Sequence, residues 1–188
     1  LDCNYQLVSD SADFSDIDKL VIPGVGAFKV AMGKLAELDL IDPIKKIASE
    51  GTPILGICLG MQLLFEESYE YGHTQGLGLM TGKVRLIPSY GLHGHKLKVP
   101  HIGWNELVVN DNGLKITSRI KEDDAVYFVH SFRVEDYNET DMVAHCLYDG
   151  LVLPAIVQHK NIIGCQFHPE KSGELGLEIF NNFLRSNI

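Results

Sequence analysis

Apolar runs alternate with amphipathic stretches in the first third of the chain, and this alternation constrains the fold more than any other feature. Residues 19–23 and 52–57 are short apolar runs bounded by turn residues, which is typical of buried strands. Residues 28–38 and 41–50 between them, and residues 60–67 after them, have the spacing of amphipathic helices. Because a crossover helix returns the chain to a parallel strand, the order predicts an α/β fold whose sheet is mainly parallel, with helices on both faces.

The second half of the chain has a different pattern. Short β-rich runs are separated by Gly, Asn and Asp, and they cover residues 83–88, 105–109, 125–130, 142–147, 154–158 and 161–167. A final helix is predicted over residues 174–185, with one apolar face. We therefore expect an antiparallel elaboration of the sheet inside a single domain covering residues 1–188.

Composition excludes several classes of protein. The formal charge of −9 argues against a nucleic-acid partner, which would require a surplus of Lys and Arg. The chain contains no run of about 18 consecutive apolar residues, the length of a membrane-spanning helix, so no membrane partner is expected. The four cysteines are widely spaced and form no CxxC pair, which indicates a reducing, cytoplasmic location, and Cys3, Cys146 and Cys165 are interpreted as structural.

One stretch of this acidic chain is locally basic. No acidic residue lies between Glu70 and Glu106, while the stretch contains four basic ones. They are Lys83, Arg85, Lys96 and Lys98. Such a strip predicts a docking surface for an acidic partner or an anionic ligand, and a set of solvated lysines is the alternative.

A candidate nucleophile lies at the junction of a predicted strand and helix. Gly56-Ile57-Cys58-Leu59-Gly60 has the form G-x-C-x-G, the cysteine counterpart of a nucleophile elbow. The sharp turn would leave no space for a Cβ at either glycine. The Cys58 thiol would lie at a helix N-terminus, which favours the thiolate, and the Leu59 amide would donate to a developing oxyanion. The alternative is a buried structural cysteine.

A candidate base follows the last predicted strand. Pro169 favours an extended backbone at His168, and alternation in an extended chain places His168 and Glu170 on the same side. The carboxylate can then hold one imidazole nitrogen. The pair would lie at the carboxyl end of a strand, where sites form in open α/β sheets.

The other histidines receive less specific interpretations. His93 and His95, with His101 nearby, could ligate a metal, but no acidic residue is close in sequence and Lys96 and Lys98 would repel a cation, so no metal is expected. His130 ends an apolar strand and is expected to line the site without taking part in the chemistry.

Four segments together resemble one family: PGVGAF at residues 23–28, GICLGMQ at 56–62, PHIGWNE at 100–106 and QFHPEKSG at 166–173. The cysteine elbow and the His-Pro-Glu are those of the class I (triad) glutamine amidotransferases, whose fold is flavodoxin-like. PGVGAF, PHIGWN and YFVHS look specifically like the glutaminase subunits of imidazole glycerol phosphate synthase, an enzyme of histidine biosynthesis. The resemblance extends from about residue 21 to the end of the chain.

This resemblance implies that Cys58 attacks the side-chain amide of glutamine, that His168 is acid and base, and that Glu170 orients His168. It implies no cofactor. It further implies an oxyanion hole of Val25, Gly26 and Leu59, in which the Val25 amide turns inward when a partner subunit is ready. Substrate-binding groups implied in the same way are Gly24, Gln62, Glu70 and the backbone of Ser131 and Phe132.

The implied partner is a cyclase subunit of the (β/α)₈-barrel type, which receives the ammonia and makes imidazole glycerol phosphate and an aminoimidazole carboxamide ribotide. The resemblance thus implies a heterodimer with an ammonia channel. Candidate interface residues are Trp104, Tyr127, Lys171, Lys96 and Lys98.

Two departures from the family pattern are visible. The family begins with a strand and a Gly/Asn-bearing loop, so we expect the domain to lack its first strand–helix unit. Phe132 stands where many relatives have Tyr. Three alternatives stay open: a paralogue that supplies ammonia to another amidating enzyme, a catalytically silent module, and a stand-alone cysteine hydrolase of related fold. The intact triad weighs against the second, and Gln62 with PGVG weighs against the third.

Overall fold

The structure, a computed structural model, describes residues 3–14, 17–110 and 115–185. Its helices are α1 (Phe28–Glu37), α2 (Ile41–Ser49), α3 (Leu59–Leu63) and α4 (Gly173–Arg185). The first six strands are β1 (Leu20–Ile22), β2 (Ile54–Ile57), β3 (Phe65–Ser68), β4 (Thr74–Gln75), β5 (Met80–Leu86) and β6 (His101–Glu106). The others are β7 (Val108–Val109), β8 (Ala125–His130), β9 (Phe132–Glu135), β10 (Met142–Tyr148), β11 (Leu151–His159) and β12 (Ile162–Cys165).

The main sheet has the strand order β1-β2-β12-β11-β10-β7. Strand β2 pairs in parallel with β1 on one side and with β12 on the other, as the strand–helix alternation predicted. The other three pairs are antiparallel: short connections join β10 to β11 and β11 to β12, and β7 adds to the edge at β10. The α/β class and the antiparallel elaboration are confirmed, but the sheet is mixed, and parallel pairing covers fewer strands than expected.

Apolar side chains cover both faces of this sheet. Ile54 and Ile162 pack with residues of α1 and α2, whereas their neighbours Leu55 and Ile163 pack with Ile179 and Phe183 of α4. Alternation along β2 and β12 therefore supplies a core to each face. Within the described ranges, no helix is long and apolar enough to cross a bilayer.

The helix predicted over residues 60–67 ends early. Helix α3 stops at Leu63, and the chain enters β3 at Phe65, which belongs to a second sheet of order β4-β3-β5-β9. Residues 59–65 are buried throughout, and a short apolar run does not distinguish a buried helix from a buried strand. The prediction was wrong here because pairing with β5 outweighs helical continuation.

Strands β6 and β8 form a separate antiparallel ribbon with two distinct faces. The register places His101 opposite His130, and Trp104 opposite Tyr127. His101 and His130 are buried, whereas Trp104 is exposed, since successive residues of a strand alternate between faces. The predicted strand 125–130 matches β8, and the predicted strand 105–109 is divided between β6 and β7.

Candidate active site

Cys58 occupies a strained turn between β2 and α3. Its backbone lies at φ 54° and ψ −107°, a conformation that costs energy for a residue with a Cβ. A Cβ at Gly60 would lie 1.7 Å from the carbonyl oxygen of Ile22, and one at Gly56 would lie 2.6 Å from the carbonyl oxygen of Gly60. The expectation that no Cβ fits at either glycine is confirmed. The Cys58 amide also donates to the Cys165 carbonyl at 2.7 Å, which fixes the elbow against β12.

His168 lies directly after β12 and is held by Glu170. Its Nδ1 lies 2.8 Å from Oε1 of Glu170, as the His-x-Glu spacing predicted. The His168 side chain is 5% exposed, whereas the Glu170 side chain is 57% exposed. A carboxylate that accepts from Nδ1 leaves Nε2 with the lone pair, and Nε2 is buried without a hydrogen-bond partner among the described residues. The arrangement is that of a general base whose outer nitrogen is oriented and whose inner nitrogen is available.

Ser172 fixes the backbone of the base, a role that the sequence analysis did not assign. Its hydroxyl donates to the His168 carbonyl at 2.7 Å and accepts from the Tyr127 amide at 3.0 Å. The His168 amide donates in turn to the Tyr127 carbonyl at 3.1 Å. The backbone of His168 is therefore bonded to Tyr127 of β8 twice, directly through its amide and by way of Ser172 through its carbonyl. No sequence signal marks Ser172, because a serine after a turn is common.

The resting thiol of Cys58 is protonated. Burial raises its pKa to about 11, and this effect outweighs the opposite effect of the Leu59 amide. The sulfur donates to the carbonyl of Val129 at 3.9 Å. The expectation that the helix N-terminus favours the thiolate is not met, since α3 has only five residues and the thiol is shielded from water.

The groups assigned to the oxyanion hole lie at the elbow in a closed arrangement. The Leu59 amide donates to the Gly24 carbonyl at 3.3 Å, so this donor already has an acceptor. Val25 is 80% exposed, and Gly26 has a φ of +103°, which favours glycine. Gly24 packs on the elbow, since a Cβ there would lie 3.1 Å from the Cβ of Leu59.

Gln62 lies at the centre of a buried amide cluster. Its Nε2 donates to the Phe132 carbonyl at 3.2 Å and to Oε1 of Gln166 at 3.1 Å. Nε2 of Gln166 lies 3.9 Å from the sulfur of Cys58. Gln166 was not singled out in the sequence, although it directly precedes the Phe167-His168 pair. The carbonyls of Ser131 and Phe132 both accept from protein donors, so their N–H groups are what this backbone offers a ligand.

Glu70 already has a structural partner. Its Oε2 accepts from the Phe28 amide at 2.6 Å, at the first residue of α1. Ala27, the residue before the helix, supplies no side-chain cap, so Glu70 satisfies one of the unpaired donors from another part of the chain. The carboxylate therefore anchors the end of the PGVGAF segment next to the elbow.

The candidate interface residues lie mainly on and around the β6–β8 ribbon. Trp104 and Tyr127 meet edge to face with ring centroids 6.0 Å apart. Lys171 is exposed in the turn after His168, and Lys96 and Lys98 are exposed before β6. The interpretation of these residues as an interface stays a prediction.

The basic strip is partly neutralised. Nζ of Lys83 lies 3.5 Å from Glu67 and 3.8 Å from Asp136, and Arg85 lies 3.6 Å from Glu135. Glu67 lies on β3, Glu135 ends β9 and Asp136 follows it, so all three are distant in sequence from the basic residues. The positive charge that remains for docking is therefore concentrated at Lys96 and Lys98.

The histidines considered for a metal are separated. His95 Nδ1 lies 2.7 Å from Asp149, so an acidic residue is close in space although none is close in sequence. His101 is buried against His130 instead. Within the described part of the chain, no group of three or more His, Cys, Asp or Glu side chains could hold a metal ion.

Comparisons with known proteins agree with this geometry. The family described as "Glutamine amidotransferase class-I" matches residues 2–187. Imidazole glycerol phosphate synthase subunit HisH 1 of Legionella pneumophila (strain Lens) is 47% identical, over 98% of this chain and 88% of that protein. Subunit HisH of Oceanobacillus iheyensis is 44% identical, over 94% of this chain and 84% of that protein.

A solved structure described as a glutamine amidotransferase shares the fold. It superposes with a TM-score of 0.69 at 21% identity, and covers 94% of this chain and 82% of that one. The elbow at Cys58, the oriented histidine and the similar proteins all indicate the same family. The chain belongs to the class I glutamine amidotransferases and, within them, to the HisH subunits of imidazole glycerol phosphate synthase.

Proposed function

We propose that this chain hydrolyses glutamine to glutamate and ammonia, and that the ammonia passes to a (β/α)₈-barrel cyclase subunit making imidazole glycerol phosphate and an aminoimidazole carboxamide ribotide. The observation that carries the proposal is the strained elbow of Cys58, whose amide bonds to Cys165 of β12, together with the buried histidine after that strand, whose Nδ1 is held 2.8 Å from Glu170. The membership of the family and the near-full-length similarity to HisH subunits support it. The cytoplasmic location expected from the sequence stays part of this proposal.

The reaction begins with a proton transfer, because the buried thiol is protonated at rest. Nε2 of His168 takes the thiol proton as the sulfur attacks the carboxamide carbon of glutamine. The tetrahedral intermediate collapses when His168 returns the proton to the nitrogen. The C–N bond breaks, ammonia leaves, and a thioester forms on Cys58. Water, deprotonated by His168, then attacks the thioester and releases glutamate and the thiol. Glu170 stabilises the imidazolium at each stage.

We assign the contacts with glutamine to polar groups of the site that are not already hydrogen-bonded within the protein. Both hydrogens of the Gln62 Nε2 are donated to protein acceptors, so its Oε1 is the group for the ammonium of glutamine. The N–H groups of Ser131 and Phe132 suit the carboxylate of glutamine, and because only backbone is involved, a Phe at position 132 serves as well as a Tyr. The second oxygen of Glu70 would add to the ammonium site.

Ammonia transfer requires a docked acceptor. Near neutral pH, free ammonia is mostly protonated and no longer nucleophilic, so release into solvent would waste the product. The exposed Trp104, with Tyr127 beside it, would form the surface that meets the cyclase, together with Lys96 and Lys98 just before β6 and Lys171 in the turn after His168. A two-sided ribbon is suited to this position, because its other face contacts the core.

A glutaminase assay with and without the barrel subunit and its ligand tests the proposal. The isolated chain should turn over glutamine slowly, and the rate should rise when both are added. Full ammonia release by the isolated chain would favour a stand-alone hydrolase. Stimulation by a barrel subunit of a different pathway, but not by the cyclase, would identify a paralogue.

Variants separate the two half-reactions. Cys58→Ala should abolish glutamine-dependent turnover of the complex while ammonia-dependent turnover by the cyclase persists. Cys3→Ala is the matched control, since Cys3 is exposed and free. Loss of both half-reactions in Cys58→Ala would contradict this division of labour, and so would glutamine-dependent turnover that survives it.

A further inference from the structure

Two histidines that the reaction does not use lie against each other behind the site. His101 on β6 faces His130 on β8 in register, with Nδ1 of His101 3.0 Å from Nε2 of His130. Both residues are buried. The ring of His101 is also stacked on Phe128 at 5.0 Å and lies 4.3 Å from the ring of Tyr148. Their ring positions are therefore fixed, and the hydrogen bonds at the ring nitrogens determine where their protons lie.

Hydrogen bonds continue from both ends of this pair. Nδ1 of His130 lies 2.8 Å from the Phe132 carbonyl, the same oxygen that accepts from Gln62. Nε2 of His101 lies 2.7 Å from the side-chain amide of Asn105. A chain of four groups therefore runs from Asn105 through His101 and His130 to the Phe132 carbonyl.

Counting protons along this chain restricts it to two arrangements. A carbonyl only accepts, so Nδ1 of His130 carries a hydrogen, and in the neutral ring Nε2 accepts. His101 must then donate from Nδ1 and accept at Nε2, which requires the NH₂ of Asn105 to face it. With Oδ1 of Asn105 facing the ring, as in the structure, Nε2 of His101 donates instead, and the pair must hold one extra proton.

The surroundings favour the neutral arrangement near neutral pH. Burial lowers the pKa of His130 to about 4 and also lowers the pKa of His101. The other titratable groups facing the pair are His168, whose positive form lowers the pKa of His130 further, and the phenol of Tyr148. A half-turn of the Asn105 amide thus accompanies the loss of the extra proton.

We propose that His130, backed by His101 and Asn105, is a positioning residue for glutamine, because it holds the Phe132 carbonyl that also accepts from Gln62. This inference rests on the proposed glutaminase function. The Phe132 oxygen has two lone pairs, and the donors Gln62 and His130 use both. The orientation of this carbonyl sets the orientation of Gln62, which donates its second hydrogen to Gln166 beside Cys58.

The same chain of groups begins directly behind the proposed docking face. Asn105 follows Trp104 directly on β6, and the two side chains point to opposite faces of the ribbon. A subunit that presses on the indole therefore acts on the residue that terminates the hydrogen-bonded chain. The unit connects the outer face of the ribbon to the groups that hold the substrate.

The positions of the ring protons can be read without any turnover. The full chain is labelled with [¹⁵N]histidine, and long-range ¹H–¹⁵N spectra are recorded near neutral pH, with assignment by substitution of each histidine. We expect both His101 and His130 to be neutral and to carry hydrogen on Nδ1. In Asn105→Asp, whose carboxylate only accepts, the pair should show an imidazolium signature. A neutral Nε2–H tautomer at His130 in the wild type would overturn the proposal.

Kinetics of the complex with its cyclase test the positioning role. An asparagine amide nitrogen takes the place of Nδ1, whereas a glutamine amide nitrogen takes the place of Nε2. His130→Gln, which loses the bond to Phe132, should raise KM for glutamine about tenfold, with a smaller change in kcat. His130→Asn, which keeps that bond, should raise KM by a smaller factor, and His145→Gln serves as a control outside the chain of groups.

Each failure has a distinct meaning. Equal KM values for His130→Asn and His130→Gln, or an effect on kcat alone, would refute the positioning role. If His130→Gln does not fold, the comparison of His130→Asn with His130→Ala carries the kinetic test, and equal KM values there have the same meaning. A wild-type complex without glutaminase activity would contradict the proposed function, whereas the ring tautomers test the hydrogen-bonded chain in either case.

Discussion

The amide of Leu59 donates to the carbonyl of Gly24 at 3.3 Å, so the N–H that we propose as an oxyanion donor is occupied in the structure of this chain alone. Rotation of the peptide between Gly24 and Val25 would remove the carbonyl and bring the Val25 N–H toward the elbow. Gly26 carries a φ of +103°, and Val25 is exposed, so little packing opposes this rotation. The oxyanion hole is therefore closed by the contact between Leu59 and Gly24, and rotation of the Gly24–Val25 peptide would open it.

Removing the Val25 N–H tests whether it completes the hole. Val25→Pro lacks this donor, whereas Val25→Ala keeps it. We expect the partner-stimulated glutaminase rate of Val25→Pro to fall about 100-fold or more, since a preorganised donor contributes on this scale. Val25→Ala should stay close to wild type. Size-exclusion chromatography of each variant mixed with the cyclase reports whether the subunits still dock, and equal rates for both variants would contradict this role of Val25.

Alkylation by iodoacetamide reports the state of the Cys58 thiol. Because its pKa is raised to about 11, little thiolate is present near neutral pH, and the alkylation rate should rise about tenfold for each unit of pH below that value. Peptide mapping by mass spectrometry follows each cysteine separately. Exposed Cys3 should react rapidly, whereas Cys146 and Cys165, both buried with a pKa of about 12, should react more slowly than Cys58 in the folded chain. Rapid labelling of Cys58 at neutral pH would show an activated thiolate at rest.

Because His130 is buried, we expect the free energy of unfolding to fall in acid. Its pKa in the folded chain is about 4, below the ordinary value of 6.5, so the unfolded chain binds the proton first as the pH falls. The contribution is complete above about pH 6.5 and is lost as the pH falls to about 4, a change of about 3 kcal/mol in the free energy of unfolding. Urea unfolding across this range should show a smaller acid loss for His130→Asn than for the wild type. Parallel curves for the two proteins would indicate that His130 titrates normally.

Glu70 should contribute to stability as well as to the site. Glu70→Gln removes the charge that meets the Phe28 amide at the start of α1, and we expect a loss of about 1 kcal/mol in the free energy of unfolding. Glu37→Gln is a matched control, because Glu37 is exposed at the other end of the same helix. Thermal unfolding measures both. If Glu70 only held substrate, its variant would raise KM without any loss of stability.

The geometry around Cys58, His168 and Glu170 was accessible to sequence analysis because each of its features is local. The elbow requires two glycines around Cys58, and the orientation of His168 requires Pro169 and an acid two residues later. These are short-range constraints that sequence spacing records directly. The alternation of strands and helices before Cys58 was readable for the same reason, since helix and strand periods differ.

The supporting groups were not accessible because their partners are distant in sequence. Ser172 meets Tyr127, Gln62 meets Gln166, and Glu67 neutralises Lys83, and none of these pairs has a spacing that a pattern could reveal. The raised pKa of Cys58 was missed because burial depends on the packing of the whole fold. The true end of α3 was missed because strand pairing with β5 decides it.

The contact between Gly60 and the Ile22 carbonyl also limits how the sequence can change. A Cβ at position 60 would approach that oxygen to 1.7 Å, and the oxygen belongs to strand backbone that cannot withdraw without breaking its pairing with β2. Every amino acid except glycine meets the same obstacle, whatever the rest of its side chain. Amino-acid substitution at this position is therefore closed to neutral drift, whereas Val25, three residues after Ile22 and open to solvent, is free to vary in side chain as long as it retains its N–H.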